Sequence, residues 1–402
     1  MKIINGGITS PKGFKAAGIH AGLKKSKLDM AMIVSETEAV SAGAFTTNVV
    51  KAAPVIWDRK ILEKGSARAI VVNSGNANAC TGEQGLADAR TMAEETAGCL
   101  GCSADSVFVA STGVIGVNLD MEKISRGISV LASSLGADGD AAARAILTTD
   151  TVKKEAAVTV EIDGRTVTIA GIAKGSGMIH PNMATMLCFI TTDAAVSRQA
   201  LQSMLGRGIS DTFNMISVDG DTSTNDSVIV LANGMAGNSL LEEGSDGFSV
   251  FEEAFTYVLG QLARMIVRDG EGAGRFIQMK VTGAKSKTDA ALMARSVVSS
   301  SLVKAAFFGA DANWGRILCA MGYSKADFDP SLVDLSFSSA KGEIQVLSAG
   351  RPLAFDEGRA KEILLEKEVF ASADCHQGSA EAEAWGCDLT YDYVRINGDY
   401  RS

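Results

Sequence analysis

Histidine is scarce in this chain of 402 residues, which contains only His20, His180 and His376. A Ser-His-Asp triad would need one of them, and the G-x-S-x-G turn that carries the serine in many hydrolases is absent. An enzyme that uses a hydroxyl nucleophile without histidine needs another base. One solution is a Thr, Ser or Cys at a chain N-terminus, where the residue's own α-amine takes the proton.

Other absences exclude whole classes of function. No apolar run approaches the roughly 18 residues of a membrane span, and the first residues lack the apolar core of a secretion signal. The net charge of -9 argues against nucleic acid as the main partner. The seven cysteines are scattered, and the C-x-x-C pair of Cys99 and Cys102 has no second pair to complete a zinc site. We therefore expect a cytoplasmic protein with reduced thiols and no bound metal.

Motifs for common cofactors are also missing. No G-x-x-x-x-G-K-[ST] phosphate loop is present, and the glycines of DGEGAG (269–274) have the wrong spacing for a dinucleotide fingerprint. The segment DGDTSTND (219–226) begins like a calcium loop. However, Thr224 and Val230 occupy the positions where such a loop has Gly and Glu. We expect no cofactor.

The pattern of apolar residues alternates between strand and helix along the chain. Residues 155–175 read as a hairpin around Asp163-Gly164, residues 82–101 and 250–270 read as helices, and a further helix is expected to begin at Asn118. The C-terminal part, from about 331 to the end, reads mostly as strands. The prediction is an α/β (mixed α+β) fold of layered mixed β-sheets flanked by helices. With five prolines and no low-complexity stretch, no linker is marked.

Residues 174–194, KGSGMIHPNMATMLCFITTDA, raise the question of a nucleophile. A loop of Gly, Ser, Pro and Asn runs into Thr185, and an apolar strand begins at once. Thr185 is either an ordinary strand threonine or a nucleophile exposed by cleavage after Ala184. The small Ala184 would let the Thr185 hydroxyl reach its carbonyl for an N-to-O acyl shift. The freed α-amine would have a pKa near 7.7–8.0, which suits a general base.

A second segment offers donors for an oxyanion. STGVIG (111–116) follows a buried strand and contains the Thr112 hydroxyl and the Gly113 N–H in a turn that glycine permits. The alternative interpretation is a simple strand-to-helix turn.

Taken together, these segments resemble the glutamate N-acetyltransferases, also called ornithine acetyltransferases, of arginine biosynthesis. The match follows chain order over essentially the whole sequence, and its longest motif, KGSGMIHPNMATML, is highly specific. The matching segments are NSGNANACTG (73–82), STGVIG (111–116), LTTDT (147–151), KGSGMIHPNMATML (174–187), DGEGA (269–273), FGADANWGRI (308–317) and YVRINGDYRS (393–402).

The resemblance implies an N-terminal-nucleophile fold and a precursor that cleaves itself between Ala184 and Thr185. The products would be an α chain (1–184), which carries the oxyanion hole, and a β chain (185–402), with a strand-rich C-terminal part from about 281. The two would assemble as α2β2. Thr185 would take the acetyl group from N-acetylornithine and pass it to glutamate, in a ping-pong reaction. Whether acetyl-CoA also serves as a donor is left open.

The resemblance also implies roles for particular residues. Thr112 and Gly113 match the oxyanion-hole pair. Lys174 would pair with the substrate's α-carboxylate, and Glu271 with an ammonium group, although without the resemblance both would read as ordinary loop charges. The family usually ends in Thr where this chain has Ser402, which retains the hydroxyl. The substrate contacts that carry over are Thr148 (or its neighbour Thr149), Lys174, Thr185, Glu271, Asn397 and Ser402.

Two alternative functions are weighed against the transferase. An aminopeptidase or amidase with the same nucleophile would use water as the acceptor and would not need glutamate. A non-catalytic relative would remain uncut and bind its ligand without turnover.

Overall fold

The computed structural model describes residues 1–180 and 186–399. The strands are β1 (Lys2–Ile4), β2 (Phe14–Ile19), β3 (Met30–Phe45), β4 (Ser66–Asn76), β5 (Val107–Val114), β6 (Lys154–Ile162), β7 (Arg165–Lys174), β8 (Leu187–Thr192), β9 (Ile216–Ser217), β10 (Ser227–Ala232), β11 (Phe276–Ala284), β12 (Asp334–Ser339), β13 (Gly342–Ser348), β14 (Arg351–Pro352), β15 (Glu368–Asp374) and β16 (Ala380–Cys387). The helices are α1 (Ala53–Lys64), α2 (Gly82–Leu100), α3 (Met121–Ser133), α4 (Asp140–Ala145), α5 (Arg198–Asp211), α6 (Phe248–Arg268), α7 (Lys287–Ser299), α8 (Ser301–Phe308), α9 (Trp314–Gly322), α10 (Glu357–Leu364) and α11 (Tyr391–Asp399).

The strands form two mixed sheets. The first has the order β1-β6-β7-β8-β10-β3-β4-β5, with β2 paired to β3. Within it, β8 pairs with β10 and β4 with β5 in parallel, and the other pairs are antiparallel. The second sheet has the order β14-β13-β12-β15-β11-β16-β9. This arrangement confirms the predicted mixed α/β class.

Helix α6 joins the two sheets. It packs against β6 and β7 of the first sheet and against β9 and β16 of the second. Its apolar face belongs to a core that extends into both sheets, as shown by the fully buried Leu259 and Ile266 beside Val158 and Met279. On the β3-β4-β5 side, α1 and α3 contact β3, and α2 contacts β4 and β5. Every residue of the central strands β8 and β10 is buried, so the first sheet is covered on both faces there.

The predicted hairpin is confirmed. Strands β6 and β7 pair antiparallel from Lys154 opposite Ala173 to Ile162 opposite Arg165. The two turn residues, Asp163 and Gly164, both have positive φ, of 51° and 68°. Such a turn matches the right-handed twist of the strands it joins.

Two local predictions are wrong. Helix α3 is capped by Asp120, whose side chain accepts the Lys123 N–H, and not by Asn118, whose carbonyl accepts the side chain of Asn76. The C-terminal segment predicted as a strand ends in helix α11, and the hydroxyl of Thr390 accepts the N–H of Tyr393 in the manner of a helix cap. In the segment from about 281, helices α7 to α9 come first, and the strands resume at Asp334.

Among the described helices, none is long and apolar enough by itself to cross a membrane. Helices α7 and α8 reach that length and apolarity only when taken together, and they are bent by 59° at the break between them.

Candidate active site

Six of the residues predicted for the site line one cavity of about 240 Å³ in the first sheet. They come from β5, from the end of β7, from the loops that follow α4 and α6, and from α11. They are Thr112, Gly113, Thr148, Lys174, Glu271 and Asn397. Thr149, the neighbour weighed against Thr148, lines the cavity too. The other predicted positions, Ala184, Thr185 and Ser402, lie outside the described residues.

Thr112 and Gly113 lie within strand β5, which ends at Val114, so the chain turns only after the two predicted donors. In the parallel pairing with β4, Ser74 is opposite Thr112 and Gly75 is opposite Gly113. Gly113 has φ 135°, and a Cβ there would lie 2.3 Å from the carbonyl carbon of Gly75. No side chain fits at that distance. The site therefore requires glycine at position 113 on both conformational and steric grounds.

Lys174 ends β7 with its ammonium group inside the cavity wall. It is 8% exposed, and its Nζ donates a hydrogen bond to Thr112 Oγ1 at 3.3 Å. Burial lowers the pKa of Lys174 below the ordinary lysine value, and the nearby carboxylate of Asp150 opposes this shift. A buried ammonium group that keeps one neutral partner is suited to pair with an anion that enters the cavity.

A buried group of charges fixes the cavity wall behind Lys174. Lys154 Nζ lies 2.7 Å from Asp150 Oδ1 and 2.6 Å from Asp269 Oδ2, and the Lys154 and Asp150 side chains are fully buried. Asp150 also accepts the N–H groups of Thr148 at 3.0 Å and Gly175 at 2.7 Å. Burial alone would raise the pKa of Asp150, but the charges of Lys154 and Lys174 hold that pKa below its ordinary value. These bonds tie the segments of Thr148 and Lys174 to the end of α6.

Glu271 and Asn397 form another part of the lining. Asn397 Nδ2 donates to Glu271 Oε2 at 2.7 Å, and the Glu271 N–H donates to the carbonyl of Ser176 at 3.0 Å. Glu271 is 8% exposed. A Cβ at Gly177 would lie 2.2 Å from Glu271 Oε2. The glycine leaves room for a carboxylate that faces the cavity and is held by an amide from α11.

Sequence reasoning missed several other residues that line the cavity, including Asp219 and Tyr393. Asp219 accepts the backbone N–H groups of Met178 at 2.6 Å and Ile179 at 2.8 Å, and the Tyr393 hydroxyl lies 3.3 Å from Asp219 Oδ2. Burial, together with the Asp219 charge, raises the pKa of Tyr393 above its ordinary value. The available signal was the polar segment 219–226, which precedes the apolar strand β10.

Asp226 is another member of that segment. It is 1% exposed, and its Oδ2 has no hydrogen-bond partner among the described residues. Burial raises the pKa of Asp226 well above its usual range, although the hydroxyl of Ser223 and the charge of Lys174 oppose the shift. The N–H of Ser227 donates to the carbonyl of Met186 at 2.9 Å. This bond sets Asp226 beside the residue that follows Thr185 in the chain.

The described residues on each side of the predicted cleavage segment are both held in place. The His180 ring lies 3.1 Å from Ser217 Oγ and 3.2 Å from Arg295 Nη2, and the His180 carbonyl accepts the Thr222 hydroxyl at 2.9 Å. Burial, followed by the charge of Arg295, lowers the pKa of His180 to about 4. The ring is therefore neutral at physiological pH. Met186 is 3% exposed and lines the cavity.

No group of three or more His, Cys, Asp or Glu side chains in residues 1–180 and 186–399 is arranged to hold a metal ion. The arrangement instead combines hydroxyl and N–H donors with the buried ammonium group of Lys174 and the buried carboxylate of Glu271 around a small cavity, whose lining also includes Asp219, Asp221 and Asp226. Such a site can bind a small zwitterion and stabilise an oxyanion.

Comparisons with known proteins agree with the resemblance seen in the motifs. The ArgJ family model matches residues 15–402. The chain is 54% identical over 403 residues to the arginine biosynthesis bifunctional protein ArgJ of Caldanaerobacter subterraneus subsp. tengcongensis, and 55% identical over 406 residues to that of Symbiobacterium thermophilum. Both alignments cover 100% of each chain. The crystal structure of the Bacillus halodurans arginine biosynthesis bifunctional protein argJ aligns with TM-score 0.51 and 44% identity, covering 53% of this chain and 98% of that one.

Proposed function

Because this chain belongs to the ArgJ family, we propose that it transfers an acetyl group from N-acetylornithine to glutamate in arginine biosynthesis. The observation that carries the proposal is the single cavity that brings together Thr112, Gly113, Lys174, Glu271 and Met186. The cavity therefore contains hydrogen-bond donors for an oxyanion, the cation of Lys174 and the anion of Glu271. It also contains Met186, the residue after Thr185. The enzyme is an acyltransferase.

The nucleophile is Thr185, freed when the precursor cleaves itself after Ala184. Its hydroxyl oxygen attacks the acetyl carbonyl of N-acetylornithine, and its α-amine takes the hydroxyl proton. The C–N bond then breaks, the proton passes to the leaving amine, and ornithine departs from an acetyl-Thr185 ester. The α-amine of glutamate attacks this ester, and N-acetylglutamate leaves with the hydroxyl restored.

Thr112 and Gly113 stabilise the oxyanion that forms in each half of the reaction. Lys174 Nζ already donates to Thr112 Oγ1 at 3.3 Å. The Thr112 hydroxyl oxygen thus accepts a hydrogen bond from Lys174, and the hydroxyl hydrogen is available for donation to the substrate oxygen. Gly113 supplies a backbone N–H from a position where no side chain would fit. Donors aimed at the developing charge lower the barrier more than they strengthen ground-state binding.

The two buried charges select the substrate. Lys174 pairs with the α-carboxylate that N-acetylornithine and glutamate share, and Glu271 pairs with the side-chain ammonium of ornithine. Each group is 8% exposed, so each is poorly solvated until a substrate brings its counter-ion. Thr148 and Asn397 complete the lining, together with Ser402 at the chain end.

The curated relatives are named bifunctional, and we infer that acetyl-CoA is a second acetyl donor for glutamate. No cofactor is required for either reaction. The α chain (1–184) and the β chain (185–402) stay together in the cytoplasm and pair as α2β2.

The first test is the intact mass of the purified protein under denaturing conditions. We expect two chains that meet between Ala184 and Thr185, and a single uncut, inactive chain for Thr185→Ala. Transfer by the Thr185→Ala variant would refute the mechanism.

The second test follows ornithine release from N-acetylornithine with and without glutamate. A transferase needs the acceptor for turnover, whereas a hydrolase with the same nucleophile releases ornithine at the same rate in its absence. Release independent of glutamate would therefore favour the amidase alternative.

A further inference from the structure

The loop between β2 and β3, residues 20–28, concentrates positive charge in an acidic protein. This lysine loop carries three lysines within four positions, Lys24, Lys25 and Lys27, while the whole chain has a net charge of -9. Its shape is fixed from below by Asp29, which is fully buried. The Asp29 carboxylate accepts the four backbone N–H groups of residues 21–24 at 2.6–3.1 Å. These bonds fix the backbone of the loop up to Lys24, so the lysines project from an ordered segment.

The lysine loop adjoins two walls of the active-site cavity. Lys24 Nζ donates to the carbonyl of Leu147 at 2.5 Å, and Leu147 directly precedes the lining residue Thr148. On the other side, a Cβ at Gly75 would lie 3.3 Å from Lys24 Cγ, and Gly75 pairs with Gly113. A molecule that enters the cavity past Thr148 and Gly113 therefore passes close to this loop.

The charges of the loop are available to a ligand. The nearby Lys15 and Lys123 form ion pairs with Glu36 and Asp120. Lys25 and Lys27, in contrast, have no carboxylate partner in the part of the chain that the structure describes. Both side chains are exposed. His20 faces the loop as well, with Nδ1 3.2 Å from Asp29 Oδ2.

Lys24 connects the surface charges to those of the cavity. Burial, together with the positive charges of Lys27 and Lys174, lowers the pKa of Lys24 to about 8, against the opposing carboxylates of Asp29 and Asp150. Lys174 in the cavity wall and Lys27 at the surface therefore each lie within electrostatic range of Lys24. An anion bound beside them would relieve this repulsion.

We propose that the lysine loop binds the phosphate groups of acetyl-CoA while its thioester occupies the cavity. The inference rests on the proposed function, and specifically on acetyl-CoA as a second donor. N-acetylornithine and glutamate carry no phosphate, and the groups that bind them lie inside the cavity, so the exposed lysines serve neither. Acetyl-CoA carries a diphosphate and a 3′-phosphate on a long flexible arm, and lysine binds phosphate well as a point charge.

The chemical step is the one already described, with sulfur in place of nitrogen. The Thr185 hydroxyl oxygen forms a bond to the acetyl carbon and the C–S bond breaks. The hydroxyl proton, held meanwhile by the α-amine, passes to the CoA thiolate. The acetyl-Thr185 ester then reacts with glutamate as before.

The test compares acetyl-CoA with S-acetylpantetheine, which has the same thioester but no phosphate, as donors to glutamate. The variant is Lys25→Ala/Lys27→Ala, and the matched control is Lys341→Ala/Lys361→Ala, which removes two lysines from the region of the second sheet. We expect the loop variant to raise the KM for acetyl-CoA about tenfold, as loss of charge-assisted contacts worth roughly 1.4 kcal/mol would. The KM values for S-acetylpantetheine and N-acetylornithine should change by less than about twofold, which is the range expected for neutral surface substitutions.

Salt provides an independent measure. The KM of the wild-type enzyme for acetyl-CoA should rise with ionic strength more steeply than that for S-acetylpantetheine, and the loop variant should lose this difference. Equal use of the two thioesters by the wild type, or the same rise in KM in the control variant, would overturn the proposal.

The outcomes also separate the two proposals. If neither thioester yields N-acetylglutamate while transfer from N-acetylornithine proceeds, the lysine-loop proposal is wrong and the acetyl exchange stands. If transfer from N-acetylornithine is also absent, the proposed function itself has failed.

Discussion

At the scale of single residues, substitution of Thr112 is the most direct test of the proposed oxyanion site. Loss of one such donor typically costs about 2.7–4 kcal/mol of barrier, so Thr112→Ala should slow acetyl transfer by roughly 10²–10³. Because the hydroxyl acts on charge that exists only in the transition state, kcat and kcat/KM should fall together. Thr112→Ser keeps the hydroxyl and serves as the control. Steady-state kinetics near wild type for Thr112→Ala would remove this residue from the site.

Asp58 gives a residue-scale prediction about stability rather than catalysis. It is fully buried in α1, its Oδ1 accepts the N–H of Val109 at 2.8 Å, and its Oδ2 has no hydrogen-bond partner among the residues described. Burial raises the pKa of Asp58 well above its usual range, against the opposing hydrogen bond from Val109. The folded protein therefore holds a proton that the unfolded chain releases near pH 3.9. The contribution of Asp58 to the free energy of unfolding should therefore fall as the pH rises from about 4 through the folded-state pKa.

Asp58→Asn keeps the acceptor for Val109 and removes the titration. The melting temperature of the variant minus that of the wild type should therefore increase as the pH is raised from about 5 to about 8. Only the wild type loses the contribution of a protonated Asp58 in that range. The exposed Asp246→Asn is the matched control. A difference that stays constant with pH would contradict the assignment of a raised pKa to Asp58.

Single residues also show what the sequence could and could not predict about the site. Lys174 and Glu271 could be selected only through the family resemblance, because each lies in a matching motif and has a chemical partner in the substrate that the resemblance implies. Asp219 and Tyr393 could not, because they are 174 positions apart and meet only through the fold. The first positions of the segment 219–226 resemble a calcium loop, whereas in the fold Asp219 accepts hydrogen bonds from the backbone N–H groups of Met178 and Ile179.

At the scale of elements, α11 contributes to the site without contributing to the core. No described residue of the helix is buried, yet it supplies Asn397 to Glu271 and Tyr393 to Asp219. A chain ended after Thr390 should therefore melt within about 2 °C of the full chain, as expected for loss of surface contacts. Its transfer activity should be severely reduced because Glu271 loses its positioning amide.

The matched control is Val394→Ala, at a position of α11 that is 67% exposed; it should retain both stability and activity. A truncated chain that turns over N-acetylornithine normally would show that α11 is not part of the active site. A truncated chain that fails to fold would show that the helix stabilises the core, contrary to its exposure.

Lys154, the first residue of β6, gives a second prediction at the scale of elements. Removal of Lys154 would leave Asp150 and Asp269 buried without the ammonium group that pairs with both, and breaking a buried ion pair typically costs about 3–5 kcal/mol. Lys154→Met should therefore lower the melting temperature strongly. The adjacent Lys153 pairs with Asp140 and Glu155 near the surface, and such exposed pairs contribute about 0–1 kcal/mol. Equal losses of melting temperature for Lys153→Met and Lys154→Met would contradict this account.

Elements differed in how well local sequence predicted them. The β6–β7 hairpin was predictable because Asp163-Gly164 determines the turn and the alternation determines the register. Helix α11 was not predictable, because it is only nine residues long and mostly polar. A helix of this length depends on its contacts with the rest of the protein. The order of the strands was also unpredictable, since parallel pairs such as β8–β10 depend on how distant segments pack.

At the scale of the whole molecule, the proposed cleavage falls inside one sheet. Strands β1 to β7 belong to the α chain, whereas β8 and β10 belong to the β chain. In the first sheet β7 pairs with β8, and β10 pairs with β3. The β chain thus inserts two strands, in which every residue is buried, between strands of the α chain. Separation of the chains would break two strand interfaces and expose the core.

The cut enzyme should therefore behave as one folded unit. We expect both chains to elute together from a size-exclusion column under native conditions, to melt in a single calorimetric transition, and to separate only in denaturant. The uncut Thr185→Ala variant is the control, because its two parts are joined covalently and it should share the same native elution volume. Elution of residues 185–402 alone without denaturant would contradict the shared sheet. Two separate melting transitions in the cut enzyme, with one in the control, would show that the chains unfold independently once the bond is broken.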